Sequence, residues 1–252
     1  MTHEDHAPDG HGVERSAERA RDGSSQLAER SRAVCAQKRH GLFITFEGTE
    51  GSGKSTQMKL LAARLRQEGH AVTENQEPGA TDIGRQIRRI LLAPENDLMA
   101  PMTELLLMFA SRTQAAAEII RPALERGDIV VSDRFTDSTL AYQGEARGIG
   151  FETVMRAHKL ALGDLMPDLT VCVEVDVEAG LARAHKRNAG NTEDAAEARL
   201  DQQSMDFHHR VSAGYERIAA MEPGRFHMVD GRGSMEEVAA RVWSLVRSES
   251  GI

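Results

Sequence analysis

The sequence predicts an α/β fold in which a five-stranded parallel sheet is flanked by helices on both faces. Three observations predict it. From Leu42 onward, short apolar β-branched runs alternate with longer helical periods, the pattern of strands joined by crossover helices. A glycine-rich stretch follows the first apolar run and opens the first helical period. The chain has 252 residues, enough for one α/β domain with a sizeable core.

Residues 1–39 stand apart. They mix both charge signs with little apolar content and cannot bury enough surface to offset their conformational entropy, so disorder is expected. A short helix around Ser25–Ala36 is the exception. His3, His6 and His11 could ligate a metal there or simply decorate a solvated tail.

The domain is expected over residues 40–252. Leu42–Glu47 reads as its first strand and Lys54–Gln67 as its first helix, stopped at Gly69. Ala71–Glu74 reads as a second strand and Ile83–Leu92 as a basic amphipathic helix. Pro101–Arg126 is a long apolar helix or helix pair, broken near Pro122. Ile129–Ser132, Thr170–Val175 and Phe226–Val229 complete the sheet, and Met235–Arg247 closes it with apolar positions three and four apart.

Composition narrows the function. A formal net charge of −8 and a pI near 5.7 speak against a general affinity for nucleic acid, which wants a basic surface. The two cysteines, Cys35 and Cys172, are far apart and in no metal-ligand spacing, as expected of a chain kept in a reducing compartment. No apolar run reaches bilayer-spanning length, and the first thirty residues lack a signal-peptide core. A cytoplasmic protein with no membrane partner is expected.

The string GTEGSGKST spans Gly48–Thr56 between a predicted strand and helix, the context that a Walker A loop requires. Its glycines let successive N–H groups converge on phosphates, and the helix N-terminus adds partial positive charge. Gly48, Glu50, Gly51, Ser52, Gly53, Lys54, Ser55 and Thr56 are therefore the ATP-binding candidates. Lys54 reaches the β- and γ-phosphates, and Ser55 offers a hydroxyl to Mg²⁺. The expected architecture becomes the three-layer sandwich of P-loop NTPases. ATP is the expected nucleotide, and Mg²⁺ its expected companion.

A nucleotide loop alone does not name the acceptor. Asp133 and Arg134 fall at the carboxyl edge of the third strand, where Arg134 could fork onto a second phosphate and Asp133 could face the metal. A surface pair opening the next helix is the alternative. Glu77-Pro78-Gly79 follows the second strand, with Arg88 and Arg89 on the next helix. Arg112 lies within an apolar run and needs an acceptor, either a ligand or an internal carboxylate. Arg183, His185, Lys186 and Arg187 cluster after the fourth strand, with Arg199 beyond. They form either a lid over ATP, about residues 183–200, or a solvated helix face.

The motifs FEGTEGSGKST, EPGAT, LLLMFASRTQ, SDRFTDSTLAYQGEARG and RLDQQSMDFHHRV together resemble the bacterial type of thymidylate kinase, within the nucleoside-monophosphate kinases. The resemblance covers about residues 41–249, and DSTLAYQG carries it most specifically. It implies ATP-dependent phosphorylation of dTMP to dTDP, with ATP and dTMP as small-molecule partners and a homodimer as the assembly. It implies that Arg134 and Arg88 grip the dTMP phosphate while Asp133 and Glu77 lie beside metal and acceptor. Arg112, Thr139 and Gln143 are implied to read the thymine edge, Met108 or Phe109 to cover the ring, and Tyr142 to pack on the deoxyribose. The phosphate loop holds no basic residue between Gly48 and Gly53, so the lid is implied to supply the catalytic arginine, Arg187 or Arg199. Departures from the family pattern are Ala80 after Gly79, Gln76 where an arginine is common, and an acidic lid stretch, Asn188–Glu197, followed by Ala198.

Overall fold

The computed structural model describes residues 41–189 and 198–252. The segment 1–39, with its expected helix and histidines, and the acidic lid residues 190–197 lie outside the described residues.

The sheet has five parallel strands in the order β2-β3-β1-β4-β5: β1 (Leu42–Glu47), β2 (Val72–Gln76), β3 (Ile129–Asp133), β4 (Leu169–Glu174) and β5 (Phe226–Asp230). Strand β2 lies one residue later than its apolar run suggested at the start and two later at the end. Gln76 pairs with Asp133 in the neighbouring strand, and that ladder carries the strand past its apolar residues.

Successive side chains of each strand point to opposite faces, and both faces are covered. On one side Ile44, Phe46, Val131, Val171 and Val173 meet Met58, Leu61 and Leu65 of α1 (Lys54–Gln67) and Val238, Val242 and Val246 of α9 (Met235–Ser250). On the other side Phe43, Val130 and Cys172 share a core with α2 (Asp82–Leu92), α3 (Pro101–Ala115), α4 (Arg121–Arg126), α6 (Phe151–Leu162) and α8 (Met205–Met221). Helices α5 (Thr136–Thr139) and α7 (Val177–Ala189) complete the chain. The expected three-layer P-loop NTPase fold is what forms. Among the described residues, no helix is long and apolar enough to cross a membrane.

The long apolar stretch from Pro101 is one helical run rather than a broken pair. A π-helical turn, Ala116–Ile120, joins α3 to α4. Pro122 cannot donate a backbone hydrogen bond, and a widened turn just before it absorbs the missing donor. A second π-helical stretch, Leu140–Ala146, extends α5. Helix α8 has no counterpart among the elements expected from the sequence, although Ser204 caps its first turn and Phe207, Val211, Tyr215 and Ile218 face the core. The polar run His208-His209-Arg210 hides that period.

Candidate active site

Beyond the carboxyl ends of β1, β2 and β3 lies a cavity of about 480 Å³. Its lining gathers residues from every motif singled out above. The phosphate loop contributes Glu50, Gly51, Gly53, Lys54, Ser55 and Thr56, and the EPG turn contributes Glu77 and Pro78. Arg88, Met108, Arg112, Asp133, Arg134, Thr139, Tyr142, Gln143 and Arg187 are the other predicted residues that line it.

The loop after β1 is held in shape by left-handed backbone at Gly51 (φ 66°) and Gly53 (φ 91°). Gly51 is constrained twice, since a Cβ there would sit 2.0 Å from the Gly180 carbonyl oxygen of α7. The contact is reciprocal, a Cβ on Gly180 lying 2.4 Å from the Glu50 carbonyl oxygen. Gly53 hands the chain to α1, whose first turn carries no acidic residue, leaving the helix dipole free to attract anions. Lys54 is buried and donates to Thr49 O at 3.3 Å. Burial and the neighbouring Arg134 push the Lys54 pKa down from its usual value.

Ser55 Oγ donates to Asp133 Oδ2 at the mouth of the loop. This hydroxyl–carboxylate pair is a hard-oxygen set of the kind Mg²⁺ accepts. Among the described residues no cluster of three or more acidic, His or Cys side chains offers a fuller cage. The fit is to a cation that keeps waters and phosphate oxygens as its other ligands.

Arg134 is the centre of the second half of the site. Among the described residues it is the only non-glycine residue with a left-handed φ, 69°, an unfavourable conformation for a side-chain-bearing residue and one that clusters at functional sites. The strain is held by two backbone bonds, Arg134 N to Phe46 O at 2.9 Å and Ser132 Oγ to Arg134 O at 2.7 Å. Its guanidinium donates to Glu50 Oε1 (2.9 Å), Ser138 Oγ (2.9 Å), Tyr142 OH (3.1 Å) and Tyr215 OH (3.1 Å). Burial alone would raise the Glu50 pKa, but Arg134, Lys54 and the Tyr142 hydroxyl hold it at about 2.

Behind Arg134 sits Glu47, a buried carboxyl at the end of β1 that sequence reasoning passed over. It accepts from Phe135 N (2.8 Å), from Tyr215 OH (3.0 Å) and from Ser138 Oγ. Burial, reinforced by Asp137, raises its pKa to about 7. The signal was available: an acidic residue closing an apolar strand needs partners.

On the far side of the cavity, Arg112 pairs with buried Glu77 through Nε and donates to Thr139 Oγ1 at 2.9 Å. The internal carboxylate and the cavity-facing position, posed as alternatives, hold together. Arg88 donates to Pro78 O at 2.9 Å, folding beneath Gly79. Arg89 is exposed and outside the cavity.

Four predicted site residues do not line the cavity: Gly48 and Ser52 of the loop, Phe109 and Arg199. Phe109 does not line the cavity. It packs edge-on to His158 in the core, with the Arg112 guanidinium 5.2 Å from its ring, so Met108 is the apolar residue left at the cavity wall. Arg199 is also outside the cavity: it is 1% exposed, donates through Nε to Leu91 O, and pairs with Glu104 at 2.7 Å. A guanidinium anchored in this way is a strut. Arg187 lines the cavity, with Asp201 Oδ2 at 3.4 Å and Asn188 Oδ1 at 3.3 Å.

The arrangement is one of two cationic groups on a single cavity, one at Lys54 and the other formed by Arg134, Arg88 and Arg112. Residues 46–242 match the thymidylate kinase family model. The thymidylate kinase of Syntrophotalea carbinolica is 48% identical over 201 residues, which span 80% of this chain and 93% of that protein. That of Thermomicrobium roseum is 48% identical over 204 residues, 81% and 93% of the two chains. The crystal structure of thymidylate kinase from Ehrlichia chaffeensis superposes with a TM-score of 0.66 at 31% identity, covering 82% of this chain and 98% of that one. With its fold, its phosphate loop and its cavity all of one kind, this chain belongs to the thymidylate kinase family.

Proposed function

We propose that the protein transfers the γ-phosphoryl group of ATP to dTMP, giving dTDP. The observation that carries this reading is that Lys54, Arg134 and Arg112 line one cavity, so a donor phosphate and an acceptor phosphate can meet there.

The chemistry needs little from a base. A phosphate monoester has its second pKa near ~6, so the attacking oxygen is largely ionised at neutral pH. The task is to align two anions and suppress their repulsion. Lys54 and the loop N–H groups hold the ATP phosphates. Arg134 and Arg88 hold the acceptor phosphate, and Arg187 supplies the further positive charge from the lid. Ser55 and Asp133 would hold Mg²⁺, which when bound neutralises charge on the phosphate oxygens. Arg112, Thr139 and Gln143 face the base edge, Met108 lies against its ring, and Tyr142 closes the sugar side. Glu77 fixes Arg112, and Glu50 and Asp133 complete the polar wall between the two substrates.

We read residues 40–252 as the kinase domain and assign it to the cytoplasm, in keeping with its sparse cysteines and the buried free thiol of Cys172. A homodimer is supported by apolar side chains left exposed on α2 and α3, namely Ile83, Ile90, Met102 and Leu106, which a second copy would cover. ADP release coupled to dTMP, dUMP, dCMP and AMP tests the reading, with dTMP expected to lead. A different leading acceptor would overturn the base assignment.

A further inference from the structure

Glu104 lies on α3 with no exposed surface. Its Oε1 accepts from Gln143 Nε2 at 2.8 Å and from Arg147 Nε at 3.2 Å. Its Oε2 accepts from Arg147 Nη2 at 3.1 Å and from Arg199 Nη2 at 2.7 Å. Burial would raise its pKa, but the bonds from Arg147 and Gln143 and the charge of Arg199 hold it below the usual carboxylate range.

An ionised carboxylate has acceptors only. Whatever end of the Gln143 amide faces Glu104 must therefore be the NH₂ end. Gln143 lines the cavity, and with its NH₂ end committed to Glu104 the oxygen is the end left for a ligand. Beside it, Arg112 and Thr139 hold the donor side of the same wall. An acceptor next to a guanidinium matches an N–H next to a C=O, the N3–H and O4 edge of thymine or uracil. Cytosine presents the reverse, an acceptor at N3 and a donor at N4.

We propose that Glu104 is a positioning residue that holds the Gln143 amide with its oxygen toward the base, so that the site selects 4-keto over 4-amino pyrimidine monophosphates. This deepens the proposed function and rests on it. The same carboxylate anchors Arg199, so the base reader and the return strut of the lid share one buried charge.

The decisive variant is Glu104→Gln, which keeps shape and leaves one acceptor oxygen. Arg147 and Arg199 both require that oxygen, so the new NH₂ turns to Gln143, whose amide must flip and offer NH₂ to the cavity. The comparison is dTMP against 5-methyl-dCMP, which differ only in the edge being read. In E104Q the ratio of their kcat/KM values should fall by about 10-fold or more, through the KM of the monophosphate and with little change in the KM of ATP. In a Gln143→Leu background E104Q should leave the ratio unmoved. A purely structural role would slow both acceptors alike and keep the ratio. Folded E104Q with the wild-type ratio, or a shift that persists without Gln143, overturns the inference. Should E104Q not fold, Gln143→Met carries the test: it should lower the same ratio by about 10-fold, and an unchanged ratio sinks the proposal. If dTMP is inert with the wild-type enzyme, the functional reading fails first. If dTMP leads and only the E104Q ratio stays fixed, this inference alone fails.

Discussion

Arg134 donates to Glu50 at 2.9 Å, tying the end of the third strand to the middle of the phosphate loop. The two residues are 84 apart in sequence, yet they bring the phosphate loop and the Arg134 side of the cavity into one electrostatic unit. Neither half is positioned independently of the other.

In the proposed reaction Lys54 is the cation that meets the ATP phosphates, and it sits at a helix start. Lys54→Ala should lower kcat by about 10²-fold or more, as loss of a group that stabilises transition-state charge does. Steady-state kinetics with saturating dTMP check it, and full retained turnover would remove Lys54 from the mechanism.

Arg187 and Arg199 should separate cleanly. Arg187→Ala removes a half-exposed cation at the cavity and should cut kcat while leaving the melting temperature near that of wild type. Arg199→Ala removes a buried strut paired with Glu104 and should destabilise by about 3–5 kcal/mol. Thermal unfolding beside turnover assays decides, and the reverse pattern would exchange their roles.

Arg112→Ala leaves Glu77 buried without its main partner. Loss of about 3–5 kcal/mol in stability is expected, and the KM for dTMP should rise more than that for ATP. Equal rises would count against a place at the base edge.

Glu47 sets a pH dependence of defined sign. Its pKa lies near 7 in the folded protein against 4.5 ordinarily. Between those values the unfolded chain has lost the proton that the folded one still holds, so the residue erodes stability as pH rises and levels off above about 7. The full effect is at most about 3 kcal/mol. Denaturant unfolding of Glu47→Gln across pH 5 to 8 should show a flatter profile than wild type; parallel profiles would remove the residue from this account.

Much of this was legible in the sequence because it is local. The strand–loop–helix around Gly48–Thr56, the Asp133-Arg134 pair at a strand end and the alternation of the sheet all follow from spacings of a few residues. What stayed hidden is long-range. Glu47 meets Tyr215 across 168 positions, and Glu104 meets Arg199 across 95. No local pattern encodes those partners. Phe109 and Met108 are adjacent, and only the rotation of α3 decides which reaches the cavity. Arg199 falls at the end of the expected lid, but its backbone N–H bonds Leu92 O, which ties it to the end of α2 and away from the cavity.

The paired glycines Gly51 and Gly180 form a joint with no clearance between the donor loop and the helix that leads into the lid. A single added methyl at either position has no room except by prising the two apart, so it would act as a wedge rather than as a local defect. Such a wedge would lift α7, and with it Arg187, away from the nucleotide while leaving every named side chain intact. An enzyme could thus lose its speed at a place where no chemical group is altered.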